Sequence, residues 1–140
     1  MSVLVDTSIW EMVLRRKAHP APQEATLKNL ILDGLVKIIG PIRQELLSGI
    51  PDKKQFKTLK SRLNEFPDTP INTDDYELAA EFFNSCRQNG IQGSPIDFLI
   101  CAVAVANNFQ IYTTDKDFLS YRKFIPIRLF KDSYTGYTQD

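Results

Sequence analysis

Acidic residues stand where an α/β protein can place reactive side chains. Asp6 ends the apolar run "SVLV", Asp97 lies in "SPID" at the start of a long apolar segment, and Asp115 follows "QIYTT". Glu45 lies in "PIRQELLSG", early in a predicted helix. If these segments share one sheet edge, their carboxylates converge, repel and raise one another's pKa, and a hard cation such as Mg²⁺ relieves that repulsion. The pattern predicts a metal site suited to phosphodiester hydrolysis.

Three of these acids also have a local explanation that needs no function. Asp6 stands where the N-cap of the next helix is expected, because Asp, Thr and Ser all accept hydrogen bonds from the first amides of a helix. Ser94, Pro95 and Asp97 have the spacing of a helix start that resembles a capping box. Asp115 can cap a short helix after "QIYTT". For each acid taken alone, capping and metal binding are both open interpretations.

Glu45 differs because it lies inside a helix rather than at its start. It follows Ile42 by three residues and precedes Leu46, so the helical period places it on the apolar face. An inward carboxylate must find a hydrogen-bond donor, a cation or a metal. A solvated position at the rim of the helix is the alternative.

The elements around these acids alternate between strand and helix patterns. The predicted strands are "SVLV", "LVKIIG", "QIYTT" and "IPIRLF", and "PDTPI" is either a connector or a short strand at Ile71. Helical spacing, capping signals and glycine stops predict helices between them. This order indicates an α/β domain with a mainly parallel sheet covered on both faces. Ligands of such sheets bind outside the carboxyl ends of the strands, where the acids stand.

Length and composition narrow the class of protein further. The 140 residues fit one domain, expected to span residues 1–132, with residues 133–140 as a C-terminal tail. Seventeen basic and seventeen acidic residues cancel, so a polyanionic partner must be held by a local patch. Two cysteines and one histidine are too few for a structural zinc site. No apolar run has membrane-spanning length, and "MSVLVDTSIW" lacks the basic start of a signal peptide, so the cytoplasm is expected.

The motifs together resemble a known family. At "VLVDTSIW", "IRQELLSG", "SPIDFLICAVAVANN" and "IYTTDKDF" the chain resembles the PIN-domain nucleases, specifically the VapC-type toxins of bacterial toxin–antitoxin pairs. The resemblance covers Val3 to Phe130. It implies a three-layer α/β/α sandwich with a mainly parallel central sheet and a Mg²⁺- or Mn²⁺-dependent endoribonuclease. It also implies inhibition by a cognate VapB-type antitoxin and a homodimer.

The resemblance also assigns roles to single residues. It implies a catalytic acidic quartet, which comprises Asp6, Glu45, Asp97 and Asp115. Its implied metal ligands are Asp6, Asp97 and Asp115, with Asp117 as an accessory acid. Its implied hydroxyl residues, which orient the acids and the attacking water, are Thr7 or Ser8, and Thr113. We expect metal held by Asp6 and Asp97 to activate a water for in-line attack on a backbone phosphate, with Glu45 or Asp115 accepting or orienting its proton.

An acidic site does not attract RNA by itself, so local cations are needed. Arg43 is the strongest candidate because it lies two residues from Glu45, and Arg15 and Arg16 are further candidates. Solvated positions on amphipathic helices are the alternative for each of them.

Other functions remain open from the sequence. A PIN fold kept as a binding module without catalysis is the main alternative. A receiver-like phosphoacceptor domain fits less well, because Asp6 lacks an acidic neighbour and Lys116 lies between two acids. A phosphatase of the haloacid-dehalogenase type would need a second acid in "DTSIW".

Overall fold

The structure is a computed structural model that describes residues 1–14 and 21–131. Within these residues, helices and strands follow one another in the order β1 (Val3–Val5), α1 (Thr7–Leu14), α2 (Pro22–Leu32), β2 (Val36–Lys37), α3 (Gly40–Ser48), α4 (Lys53–Leu63), α5 (Thr73–Gln88), α6 (Pro95–Asn107), β3 (Gln110–Tyr112) and α7 (Asp117–Tyr121). The predicted C-terminal tail, residues 133–140, lies outside the described part of the chain.

The sheet is parallel, as predicted, with the strand order β2-β1-β3. Val3 pairs with Val36 on one side and with Gln110 on the other, so β1 is the central strand. All three residues of β1 are fully buried, which its continuous apolar sequence predicts for a strand covered on both faces. The predicted α/β/α class is therefore confirmed.

The predicted last strand, "IPIRLF", is reduced to a single bridge. Ile111 pairs there with Leu129, and the Ile111 amide donates to the carbonyl of Arg128 at 2.9 Å. Pro126 has no amide proton to add to a ladder, and the Ile127 amide turns back to the carbonyl of Ile125. Similarly, a bridge between Ile38 and Asp68 takes the place of the short strand considered at Ile71.

Helix α6 forms the centre of the core beside the sheet. Seven consecutive residues, 98–104, are buried, as its nearly all-apolar sequence predicts. The helix packs along α5 and contacts β3, while α1 packs against α2 and α3. Burial of α6 holds its N-terminus, and Asp97 with it, at a defined place beside the carboxyl ends of the strands.

In the described part of the chain, no helix combines the length and the apolar character needed to cross a membrane.

Candidate functional site

The carboxyl ends of β1 and β3 lie side by side and create the site. Leu4 and Val5 pair with Ile111 and Tyr112, and the Asp6 amide continues the ladder by donating to the Tyr112 carbonyl at 2.9 Å. The residues that follow the two strands are consequently neighbours, although more than a hundred residues separate them in sequence. This arrangement is the one predicted for Asp6 and Asp115.

Asp6 is a buried carboxylate held by three short hydrogen bonds. Its Oδ2 accepts from the Thr113 hydroxyl at 2.7 Å and from the Ser8 hydroxyl at 3.0 Å, and its Oδ1 accepts from the Thr7 amide at 2.8 Å. Burial raises the pKa of Asp6 above its ordinary value. The hydrogen bonds oppose that shift, and the negative charge of Asp115 adds to it.

The hydroxyls of Ser8 and Thr113 tie the two strand ends together. The Ser8 hydroxyl accepts from the Thr114 amide at 3.1 Å, and the Thr113 hydroxyl accepts from the Asp115 amide at 3.0 Å. Thr113 is fully buried, and its hydroxyl also lies 3.3 Å from that of Ser8. Each of these hydroxyls both donates to Asp6 and accepts from the backbone, so they hold Asp6 and Asp115 in a fixed relation.

Asp97 is brought to the same place by helix α6. Ser94 is the N-cap, as predicted, and its hydroxyl accepts from the Asp97 amide at 3.1 Å. The Asp97 carboxylate accepts a hydrogen bond from Tyr121, with 2.7 Å between Oη and Oδ2. Burial raises the pKa of Asp97, and the negative charges of Asp115 and Asp6 raise it further, whereas the hydrogen bond from Tyr121 lowers it.

Asp115 and Asp117 complete an acidic cluster and also shape the turn that carries them. Asp115 Oδ1 accepts from the Asp117 amide at 2.9 Å, and its carbonyl accepts from the Phe118 amide as α7 begins. One oxygen each of Asp97, Asp115 and Asp117 lies within 4.8 Å of the others. Lys116, not Asp115, is the N-cap residue of α7, and no side chain among the described residues caps this helix, so the predicted capping role of Asp115 is wrong; its bond to the Asp117 amide instead closes the turn before the helix. Asp6 is not a member of this group, so its predicted ligand role stays a prediction.

The donor set of this cluster fits a hard cation. Ligands of an octahedral Mg²⁺ lie about 2.1 Å from the ion, which puts neighbouring ligands about 3 Å apart and opposite ones about 4 Å apart. Three carboxylate oxygens within 4.8 Å approach these separations, and all three are of the type that Mg²⁺ and Mn²⁺ prefer. Asp97 and Asp115 are partly buried, and Asp117 is exposed, so one side of the cluster is open to solvent.

Glu45 is exposed, which corrects the prediction of an inward-facing carboxylate. Helix α3 buries Ile42 and Leu46, and Glu45 lies at the rim of that apolar face. The rim still connects it to the site, because the buried Thr7 donates from Oγ1 to Glu45 Oε2 at 3.1 Å. Thr7 therefore links Glu45 to Asp6 through the chain.

Arg43 is engaged within the protein. Its Nε donates to Asp68 Oδ1 at 2.9 Å, and its two terminal nitrogens donate to the carbonyls of Leu63 and Phe66. These bonds hold the segment after α4 against α3, a structural role that the sequence did not indicate. The other proposed RNA-binding residues, Arg15 and Arg16, lie outside the described residues.

Tyr121 is the residue of this site that sequence reasoning missed. It is separated from Asp97 by 24 residues and lies in "SYRKF", which has no recognisable motif. Its place in the site could be predicted only from the tertiary structure, in which α7 packs against the start of α6.

Comparisons with known proteins agree with this geometry. A family model described as the PIN domain matches residues 3–123. A VapC ribonuclease of Mycobacterium bovis and ribonuclease VapC11 of Mycobacterium tuberculosis are each 31% identical to the chain over 122 residues, which is 83% of this chain and 88% of theirs.

Solved structures show the same fold. VapBC2 from Rickettsia felis, crystallised with a DNA fragment from its promoter, superposes with a TM-score of 0.75 at 19% identity over 93% of this chain and 98% of that one. FitAcB from Neisseria gonorrhoeae superposes with a TM-score of 0.74 at 22% identity over 92% and 96% of the two chains. With its parallel sheet, its carboxylates at the strand ends and a match along most of its length, the chain belongs to the PIN domain family.

Proposed function

We propose that this protein is a metal-dependent endoribonuclease of the VapC type. The observation that carries the proposal is the cluster formed by Asp97, Asp115 and Asp117 next to the buried Asp6, at the carboxyl edge of a parallel sheet. Three partly or fully exposed carboxylates at one place are electrostatically unfavourable without a cation. The relatives named VapC ribonucleases supply the reaction class.

Asp97, Asp115 and Asp117 would hold a Mg²⁺ or Mn²⁺ ion, with Asp6 as a further ligand through Oδ1, which accepts from the Thr7 amide. A bound ion of this kind lowers the pKa of a coordinated water and neutralises charge on a phosphate. Thr113 and Ser8 keep the Asp6 carboxylate in one orientation, and the shared hydroxyl of Thr113 sets its position relative to Asp115.

Glu45 is the proposed acceptor of the proton from the attacking water. It is exposed, so it can meet solvent and substrate, and the hydrogen bond from Thr7 holds one of its oxygens. Asp115 is the alternative acceptor, but its Oδ1 already accepts from the Asp117 amide. A proton acceptor must lie within hydrogen-bond reach of the water, and the tether to Thr7 limits where the Glu45 carboxylate can lie.

RNA would reach the site along the basic helix α4. A cleft of about 750 Å³ between α1, α3 and α4 is lined by Glu45 of α3 and by Lys54 and Arg62 of α4, among other residues. Such cations attract the phosphate backbone without regard to sequence, so binding through them weakens as salt concentration rises. Arg43 contributes less to this surface, because its guanidinium nitrogens are engaged within the protein. Arg15 and Arg16 remain proposed RNA-binding residues.

The proposed partner that controls the activity is a VapB-type antitoxin, and the proposed setting is a cytoplasmic homodimer. Structures with the same fold include FitAcB and a VapBC2 assembly bound to promoter DNA. The proposal predicts that the product of a small reading frame immediately upstream co-purifies with this protein and inhibits it. Size-exclusion chromatography of each protein alone and of the mixture tests both the complex and the dimer.

The decisive experiment is cleavage of RNA by the purified protein. We expect cleavage with Mg²⁺ or Mn²⁺, none with EDTA, and loss of activity in Asp6→Asn and Asp97→Asn with the fold intact by circular dichroism. Asp33→Asn, which changes an exposed acid at the end of α2, is the matched control and should cleave like the wild type. If the two site variants cleave as fast as the wild type, the activity does not reside in this cluster. If none of the proteins cleaves RNA while binding it, the fold serves as a binding module.

A further inference from the structure

Tyr121 is placed to control the conformation of Asp97. Its side chain is fully buried, and its ring packs against Phe98 and Phe118 at centroid distances of 4.7 and 5.2 Å. The hydroxyl leaves this apolar packing and donates to Asp97 Oδ2 at 2.7 Å. A phenol carries its proton at neutral pH, so the Tyr121 hydroxyl is the donor of this hydrogen bond and the carboxylate is the acceptor.

The start of α5 provides a comparison for the start of α6, because both have an N-cap residue followed by an aspartate three positions later. At the start of α5, the Asn72 side chain accepts from the Asp75 amide, and Asp75 Oδ2 accepts from the Asn72 amide, which is a complete capping box. Ser94 and Asp97 have the same spacing but form only the first half of that pair. The carboxylate of Asp97 accepts from Tyr121 instead, and it also belongs to the acidic cluster with Asp115 and Asp117.

Gly93 provides the space for this arrangement. A Cβ atom at this position would collide with the Tyr121 hydroxyl, and would lie 2.8 Å from Tyr121 Cζ and 2.8 Å from Phe98 Cε2. The backbone at Gly93 is not in the left-handed region, so space rather than conformation accounts for the glycine. The loop before α6 and helix α7 therefore approach as closely as the hydrogen bond needs.

We propose that Tyr121 is a positioning residue that holds the Asp97 carboxylate toward Asp115 and Asp117, and that Gly93 permits this by lacking a side chain. The inference rests on the proposed metal site. The phenol hydrogen bond uses one carboxylate oxygen and leaves the other for a ligand. Partners that orient metal-binding carboxylates in this way typically contribute about 10- to 100-fold to metal affinity.

The test is the affinity for Mn²⁺, measured by isothermal titration calorimetry on the full chain. Tyr121→Phe keeps the packed ring and removes the hydroxyl, and should weaken Mn²⁺ binding about 10-fold or more. Tyr112→Phe, which removes a hydroxyl from an equally buried tyrosine packed on Phe130, should bind Mn²⁺ like the wild type. Melting temperatures without metal separate this effect from a loss of stability, because a purely structural role would lower the melting temperature and leave the affinity unchanged.

Gly93→Ala adds an independent check. It should weaken Mn²⁺ binding on its own, and weaken it less when Tyr121 is already phenylalanine, because the contact it disrupts is then absent. Gly49→Ala, where nothing lies within 4 Å of the added carbon, is the control. Fully additive losses would refute the role of Gly93.

The outcomes distinguish this inference from the proposed function. If the wild type binds Mn²⁺, Asp97→Asn does not, and Tyr121→Phe binds like the wild type, the positioning role is overturned while the metal site stands. If the wild type does not bind Mn²⁺, or Asp97→Asn binds it equally, both proposals fail. If Gly93→Ala does not fold, the comparison of Tyr121→Phe with Tyr112→Phe still decides the role of Tyr121.

Discussion

Replacing Thr113 with valine should be one of the most destabilising single changes near the site. The side chain is fully buried, and valine has nearly the same shape, so the substitution removes the hydroxyl without leaving a large cavity. That hydroxyl donates to Asp6 Oδ2 at 2.7 Å and accepts from the Asp115 amide at 3.0 Å. The change therefore takes a donor from a buried carboxylate and an acceptor from a backbone amide.

The expected loss follows from these two bonds. A hydrogen bond to a charged group contributes about 1.5–3 kcal/mol, and the loss of this acceptor by the partly buried Asp115 amide costs about 1 kcal/mol. Asp6 retains the hydrogen bonds from Ser8 and the Thr7 amide, so the loss of the bond from Thr113 should cost an amount near the middle of this range, about 2 kcal/mol. Thr113→Val should therefore lower the free energy of unfolding by about 3 kcal/mol, a large part of the stability of a typical domain.

Urea denaturation in EDTA, followed by circular dichroism, measures this loss. Thr58→Val is the matched control: its hydroxyl donates to the Lys54 carbonyl on an exposed helix surface, so its effect should stay within about 0.5 kcal/mol. The deficit of Thr113→Val should shrink at low pH, because the hydrogen bond from Thr113 favours the ionised Asp6 and loses that advantage once Asp6 is protonated. Equal effects of the two substitutions at neutral pH would refute the reasoning.

Three further predictions concern the carboxylates and Arg43. Saturating Mn²⁺ should raise the melting temperature of the wild type and of Asp33→Asn but not that of Asp97→Asn. An ion present at about 100 times its dissociation constant adds about 2.7 kcal/mol to the free energy of unfolding. Equal shifts in all three proteins would exclude a site at Asp97. Because the pKa of Asp97 is raised in the folded state, protonated Asp97 contributes to the stability of the metal-free wild type. This contribution is complete below pH 3.8, the ordinary pKa of an aspartate, and is lost as the pH rises through the raised pKa. Asp97→Asn should therefore gain stability relative to the wild type over that window, as urea denaturation at several pH values would show, and a constant difference would contradict the shift. Arg43→Ala should lower the free energy of unfolding by about 2 kcal/mol, because it removes the hydrogen bonds of the guanidinium group. Arg62→Ala, on the exposed face of α4, is the control and should leave the free energy of unfolding unchanged. A larger loss in Arg62→Ala than in Arg43→Ala would mean that the contacts of Arg43 do not stabilise the fold.

Some features of the fold were predictable because their causes are local. The apolar runs before Asp6 and Asp115 form neighbouring parallel strands, and the apolar segment after Asp97 forms the buried helix α6. The sequence also predicted the start of α6 correctly, because Ser94 is the N-cap residue of that helix. The predicted last strand was reduced to one bridge, since Pro126 limits the ladder that the apolar pattern indicated.

The sequence by itself determined which residue types stand at the strand ends, because strand and helix patterns are set by neighbours a few positions apart. Only the tertiary structure decided which of them meet. The contact between Tyr121 and Asp97 spans 24 residues, and that between Thr113 and Asp6 spans 107. Such contacts depend on how α6, α7 and the sheet pack together, and the same packing left Glu45 at the rim and turned Arg43 inward. No local pattern encodes them, because their free energy is gained only when distant segments are already in place.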